Sequence, residues 1–159
     1  MTQGPAITDE VRAMIGATSE PDILEVERGA IRRYADAIED PNPLFRDVEQ
    51  ARNSRYGEII CPPGFFGWPV KRSGRMGLTA KVREALTKAG YPRLLDGGVE
   101  YECFLPIRAG DTLTAYSKIA DITEREGKTG KMTFTITETT YVNQNGDLVV
   151  KARGTMICR

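Results

Sequence analysis

The C-terminal part of the chain leaves little choice of local structure. From Gly97 to Cys158, side-chain character changes with a period of two, broken only where turn-forming residues cluster. Val99, Tyr101 and Cys103 alternate with Glu100 and Glu102. Leu113, Ala115, Ser117 and Ile119 alternate with Thr112, Thr114, Tyr116 and Lys118. Met132, Phe134, Ile136, Thr140 and Val142 alternate with Thr133, Thr135, Thr137, Thr139 and Tyr141, and Leu148 to Cys158 reads as the last strand. The turns fall at Pro106 with Ala109-Gly110-Asp111, at Glu126 to Gly130, and at Asn145-Gly146, a strong hairpin signal. This predicts an antiparallel meander of four strands, each long enough to wrap a helix. The threonine row of the third strand reads most simply as a solvated face, its rival being a β surface used by a partner subunit.

Helical periodicity dominates before that point. Thr8-Asp9-Glu10 opens a short helical stretch with Val11, Met14 and Ile15, ended by Ser19-Glu20-Pro21. Residues 1–7 read as frayed, with flexibility expected no further than residue 14. Ile23, Leu24 and Val26 form a short strand feeding Gly29 and a helix whose buried face is Ile31, Tyr34, Ala35 and Ile38. Residues 46–56 are polar and suit one or two helical turns. Ala80 to Ala89 is a helix with Val82, Ala85, Leu86 and Ala89 on one face and Gly90 just past its end. Helices first and a long antiparallel sheet second is an α+β pattern, with no βαβ alternation and no internal repeat. The 159 residues are expected to form one domain with a sizeable core.

Between these regions lie the stretches that carry chemistry. Pro41 stops the helix, and the residue before a proline is pushed out of the α region. Asp40 and Asn42, each before a proline, therefore stand on a stiff extended corner directly after a buried helix. Further on, Cys61-Pro62-Pro63 forbids regular structure, and Gly64-Phe65-Phe66-Gly67-Trp68-Pro69 follows. A helix is expected to begin near Pro63 or Gly64, with Pro69 as a kink. The segment reads either as core or as a place where glycines bring backbone N–H groups up to a ligand.

The corner resembles the signature of MaoC-type (R)-specific enoyl-thioester hydratases: an aromatic, a helix end, Asp, any residue, Asn, Pro, an aliphatic, His, and a small residue six further on. Asp40, Asn42, Pro43, Leu44 and Ala51 match. Glu39 stands where glycine is usual, and Phe45 stands where the family has histidine; the chain has no histidine anywhere. With Pro62-Pro63-Gly64-Phe65 and Arg108-Ala109-Gly110-Asp111 at suitable spacing, the resemblance runs from about residue 15 to 159. It implies an α+β hot-dog fold, a long antiparallel sheet wrapped around a central helix. It also implies a thioester site in which Asp and His together activate water. Asp40 and Asn42 are the residual catalytic candidates. Tyr34, Phe45, Pro63, Gly64, Phe65, Phe66 and Trp68 are the expected acyl-binding residues, and Gly64 is the candidate oxyanion amide.

A histidine-free single hot dog is similar to the non-catalytic subunit of mycobacterial (3R)-hydroxyacyl-carrier-protein dehydratases. The resemblance thus implies a subunit of a heteromeric enoyl-CoA hydratase or 3-hydroxyacyl-thioester dehydratase, paired with a catalytic MaoC-like subunit or dimerised with itself. Two alternatives stand beside it: a self-sufficient hydratase or thioesterase using Asp40, and a non-catalytic acyl-thioester binding protein. The substrate would be a CoA or carrier-protein thioester, with no separate cofactor. Arg32, Arg33, Arg52, Arg55, Lys71 and Arg72 are available to meet its phosphates. With 22 basic and 22 acidic residues, nothing favours nucleic acid or an anionic membrane surface. No apolar run reaches a membrane span and no signal peptide is visible, so the cytoplasm is expected. Cys61, Cys103 and Cys158 are widely spaced, and without histidine no conventional metal site is expected. Cys61 beside the proline pair has no histidine to activate it as a nucleophile.

Overall fold

The computed structural model describes residues 7–72, 75–127 and 130–159. Chain order is α1 (Asp9–Arg12), β1 (Asp22–Glu25), α2 (Arg28–Ala37), a 3-10 turn (Pro43–Phe45), α3 (Val48–Arg52), β2 (Trp68–Lys71), α4 (Arg75–Lys88), β3 (Leu94–Cys103), β4 (Thr112–Gly127), β5 (Gly130–Val142) and β6 (Leu148–Cys158). The strands form one sheet in the order β2-β1-β4-β5-β6-β3, every neighbouring pair antiparallel. Only β4, β5 and β6 form the expected meander: β3, expected as its first strand beside β4, pairs instead with β6 at the far edge, and β1 with β2 takes the place next to β4. This is the α+β hot-dog architecture.

Register decides which side chains go inside. Ala115 pairs with Tyr141, Ser117 with Thr139 and Ile119 with Thr137; a bulge between Ile119 and Asp121 then brings Ile122 opposite Thr135. On β6, Val150, Ala152 and Cys158 lie opposite Tyr141, Thr139 and Thr133. All helices that carry buried apolar faces pack on this one side of the sheet. Ala30, Ile31 and Ala35 of α2 join Leu113, Ala115, Tyr141, Val150 and Ala152 in one apolar cluster, whereas Ile38, expected on the same buried face, is the helix's C-cap and is exposed. Val11 of α1 and Val82, Ala85 and Leu86 of α4 join Ile119, Ile122 and Cys158 in a second. Ser117 and Thr139 stand at the seam between the two.

The threonine row is consequently not the solvated face. Thr133, Thr135, Thr137 and Thr139 are at most 7% exposed and face the helices, whereas Phe134, Ile136 and Val142 on the outer face are only half-buried. Threonine is β-branched and half hydrocarbon, so its methyl packs while its hydroxyl bonds locally. Thr139 does so with Ser117 (2.8 Å) and Thr133 with the Cys158 carbonyl (3.4 Å). The outer face instead carries a Lys118–Glu138–Arg153 chain of ion pairs (2.9 and 3.6 Å).

Two further expectations are corrected. No helix starts at Pro63 or Gly64: these two residues form a turn within an otherwise irregular stretch, and Trp68–Lys71 pairs with β1 as an edge strand, where Pro69 is tolerated because the missing N–H lies in a strand at the sheet's end. The expected helix over 80–89 begins earlier, at Arg75, and ends at Lys88. Its end is a Schellman motif: Gly90 takes φ +96°, its N–H donates to Thr87 O (3.0 Å), and the Tyr91 N–H reaches Leu86 O (2.9 Å). The expected turn over 126–130 includes residues 128 and 129, outside the described residues, as do residues 1–6 of the expected frayed start.

Candidate functional site

The Asp-Pro-Asn-Pro corner is built by backbone capping. Helix α2 also ends in a Schellman motif: the Glu39 N–H donates to Asp36 O (3.1 Å) and the Asp40 N–H to Ala35 O (2.9 Å). This requires a left-handed residue at position 39, and Glu39 has φ +55°. It is the position where the resembled signature has glycine, so the departure keeps the conformation and accepts its strain. Asp40 Oδ1 then accepts the Asn42 N–H (2.9 Å), and Asn42 Oδ1 accepts the Leu44 N–H (3.0 Å), two Asx turns in series that launch the 3-10 turn ending at Phe45. Arg46 clamps the corner from outside, donating through Nε to the Asp40 carbonyl (2.9 Å) and through Nη1 to the Asp36 carboxylate. Asp40 Oδ2 accepts no hydrogen bond from a described residue. Phe45 is buried and offers no proton-transfer group.

The Pro62–Trp68 segment crosses in front of α2 and the sheet. Its glycines have different reasons. At Gly67, φ is +86° and a Cβ would lie 2.5 Å from the Glu25 carbonyl, so only glycine lets the segment run this close to β1. At Gly64, φ is +89° and a Cβ would meet the Tyr34 hydroxyl at 3.2 Å. Gly64 lies in a turn closed by the Phe65 N–H donating to Pro62 O (3.2 Å), so its amide has no helix terminus behind it. The oxyanion reasoning from a helix start therefore does not carry over to it.

Phe65 and Phe66 divide two cavities. The first, about 530 Å³, lies between α2, the segment, β2 and the inner face of the sheet; Tyr34, Gly64, Trp68, Thr139 and Tyr141 line it together with both phenylalanines. Its walls are ring contacts: Tyr34 with Phe65 (5.0 Å), Phe65 edge-on to Trp68 (6.1 Å) and Phe66 stacked on Tyr141 (4.9 Å). The second, about 560 Å³, lies on the other side; Asn42, Phe45, Pro63, Cys61 and Phe104 line it, again with both phenylalanines. The acyl-binding candidates thus assemble around the Phe65-Phe66 pair, though on two sides of it. Asn42 reaches the second cavity, and Asp40 lines neither.

Several lining residues were not singled out from the sequence. Asp22, Thr139 and Tyr141 form the sheet floor of the first cavity, and Cys103 to Ile107 one wall of the second. The signal that could have found Thr139 and Tyr141 was the β4 pattern: Leu113, Ala115 and Ile119 must face a core, and residues opposite them share that face. Of the six basic candidates, Arg72 lines the first cavity and Arg55 the second, where its guanidinium sits 4.8 Å from the Tyr56 ring centre. Cys61 lines the second cavity, but burial, reinforced by the Asp111 carboxylate, pushes its thiol up to about 12, which removes it as a nucleophile near neutrality.

Comparison with known proteins agrees with the fold. A family model described as "FAS1-like, dehydratase domain region" matches residues 13–152. A UPF0336 protein of Streptomyces avermitilis is 34% identical over 118 residues, 73% of this chain and 75% of that protein. Among solved structures, the ChsH1-ChsH2 complex from Mycobacterium tuberculosis contains a chain that superposes with a TM-score of 0.79 at 18% identity, covering 95% of this chain and 89% of that one. A chain of the C-terminally truncated HadBC (3R-hydroxyacyl-ACP dehydratase) complex, also from M. tuberculosis, superposes with a TM-score of 0.67 at 23% identity, covering 91% of this chain and 96% of that one.

Proposed function

Since the chain belongs to the FAS1-like dehydratase-region family, a MaoC-like group, we propose that it is the acyl-binding half of a heteromeric enoyl-thioester hydratase or 3-hydroxyacyl-thioester dehydratase. A second MaoC-like subunit would supply the catalytic Asp and His. The carrying observation is the corner itself. It holds a left-handed residue, Glu39, where the resembled signature has glycine, but lacks that signature's acid–base pair: Phe45 fills the histidine position, and Asp40 Oδ1 holds the Asn42 N–H. Reversible addition of water across a conjugated thioester needs a group that takes a proton from water and one that protonates the α-carbon. No residue pair at this corner does both. The role proposed for the chain is to hold the acyl chain against the aromatic walls around Phe65 and Phe66, and the basic residues at the two cavities, Arg72 at the first and Arg55 at the second, support a role toward the anionic parts of a CoA or carrier arm. HadBC is a (3R)-hydroxyacyl-ACP dehydratase that exists as a complex, and that precedent supports the reading. The thioester is the substrate, and no further cofactor is invoked. A cytoplasmic location is part of the same proposal.

One observation favours a second reading. Asp40 Oδ2 is not engaged by a described residue, so a lone carboxylate could orient water, as a thioesterase or an altered hydratase would require. The test is hydration of trans-2-butenoyl-CoA and longer enoyl-CoAs by the purified chain, followed by loss of enoyl absorbance. The expected result is no turnover by the chain alone and turnover when a histidine-bearing MaoC-like partner is co-purified with it. Turnover by the chain alone that disappears in Asp40→Asn would overturn the subunit reading in favour of the second. Binding of acyl-CoA with no turnover and no partner would leave a binding protein.

A further inference from the structure

The first cavity has apolar side walls but a hydroxylic floor, and the hydrogen-bond count on that floor does not close. Ser117 and Thr139 face each other across β4 and β5 with their hydroxyl oxygens 2.8 Å apart, and both are 3% exposed. The pair holds two hydroxyl protons and uses one between its members. No described residue accepts the other. If Thr139 donated to Ser117, the spare proton would be left on Ser117, behind the cavity lining; a buried donor without an acceptor costs about 1–3 kcal/mol. If Ser117 donates, the spare proton is on Thr139, which lines the cavity beside the Tyr141 and Tyr34 rings. The second arrangement puts a pre-oriented donor beside the aromatic walls of the cavity.

We infer that this cavity selects acyl chains carrying a second oxygen, a hydroxyl or carbonyl, away from the thioester end, with Thr139 as the specificity-determining donor. This rests on the acyl-thioester reading and adds the substrate class to it. The surroundings fit such a ligand: the Tyr34–Phe65 and Phe66–Tyr141 ring pairs cover a hydrocarbon body, and a plain alkyl end would leave the Thr139 proton unmet inside a low-dielectric site.

The experiment is calorimetric titration of the purified chain with matched saturated acyl-CoAs and ω-hydroxyacyl-CoAs, from hexanoyl to dodecanoyl, and with the same acids free of CoA. At one or more lengths the hydroxylated member should bind about tenfold tighter, the equivalent of one good hydrogen bond to a buried donor. Thr139→Val should bring that ratio to about one, and Ser117→Ala, which leaves the Thr139 hydroxyl in place, should keep it; unfolding curves of both variants show that they are folded. Thioesters that bind with no preference at any length, or a preference that survives Thr139→Val, would overturn the inference and leave the acyl-thioester reading standing. Free hydroxy acids that bind with the Thr139-dependent preference while thioesters do not would leave the inference standing and overturn the thioester reading. No binding of any probe would overturn both.

Discussion

The carboxylate of Asp40 accepts the backbone N–H of Asn42 at 2.9 Å, and the Asn42 side chain repeats the contact on Leu44 at 3.0 Å. The two residues that carry the resemblance to a hydratase signature are therefore the residues that shape its corner. Asp40→Ala removes the acceptor and is expected to lower stability by about 1 kcal/mol, whereas Asp40→Asn retains an acceptor oxygen and should cost less than half of that. Urea unfolding measures both. Equal losses would mean that the charge, not the Asx turn, is what the corner uses.

Glu39 holds a left-handed conformation that glycine adopts without strain, in a motif otherwise identical to the one that Gly90 closes on α4. Glu39→Gly is expected to raise stability by about 1 kcal/mol, and Glu39→Val, β-branched at the same φ, to lower it by more than that. The midpoint of thermal unfolding reports the direction in each case.

The buried threonines should not behave alike. Thr135 Oγ1 is buried with no hydrogen-bond partner among the described residues, while Thr139 is paired with Ser117. Thr135→Val keeps the shape and removes an unpaired polar atom, so it is expected to stabilise by about 1 kcal/mol. Thr139→Val leaves the Ser117 hydroxyl unpaired and should destabilise by a similar amount. The same substitution at two positions on one face of one strand thus changes sign, and chemical unfolding of the two variants decides it.

Cys61 gives a pH signature. Its thiol is raised in the folded protein to about 12, first by burial and then by Asp111, above an ordinary value near 9.0. Below pH 9 the thiol is protonated in both states and contributes no pH dependence. Above it the unfolded chain loses the proton and the folded chain keeps it, so folding stability falls as pH rises, by up to about 1.4 kcal/mol per pH unit from this one group. Cys61→Ala should flatten the stability profile between pH 9 and 11 relative to the wild type. At pH 8 an alkylating reagent should modify exposed Cys103 well before Cys61, read by peptide mass.

Much of the candidate site was legible because local rules governed it. Proline after Asp40 and Asn42 excludes helix, and Asx side chains before proline have few other things to do, so the corner could be placed from six residues. The aromatic run at Phe65, Phe66 and Trp68 was identifiable as a wall, but its division of two cavities depends on where α2 and the sheet stand on either side of it. The expected helix start near Pro63 or Gly64 failed for the same kind of reason: the strand propensity of Trp68 and Val70 is realised, with Pro69 tolerated between them, only because β1 offers an open edge to pair with.

By itself the sequence determined what depends on short-range sterics and periodicity: the strand-turn rhythm after Gly97, the amphipathic face of α2 as far as Ala35, the glycine-closed end of α4 and the absence of any histidine to serve the corner. Only the tertiary structure decided which side of β5 lies inside. A two-residue period states that alternate side chains part company but not which set is covered, and for a strand alternating threonine with phenylalanine and isoleucine, hydropathy points the wrong way. Pairing with β4 put the threonines on the face of Leu113, Ala115 and Ile119, and with them the Ser117–Thr139 hydroxyl pair on the floor of a cavity. The inside of this sheet follows from which residues stand opposite one another across strands that are far apart in sequence.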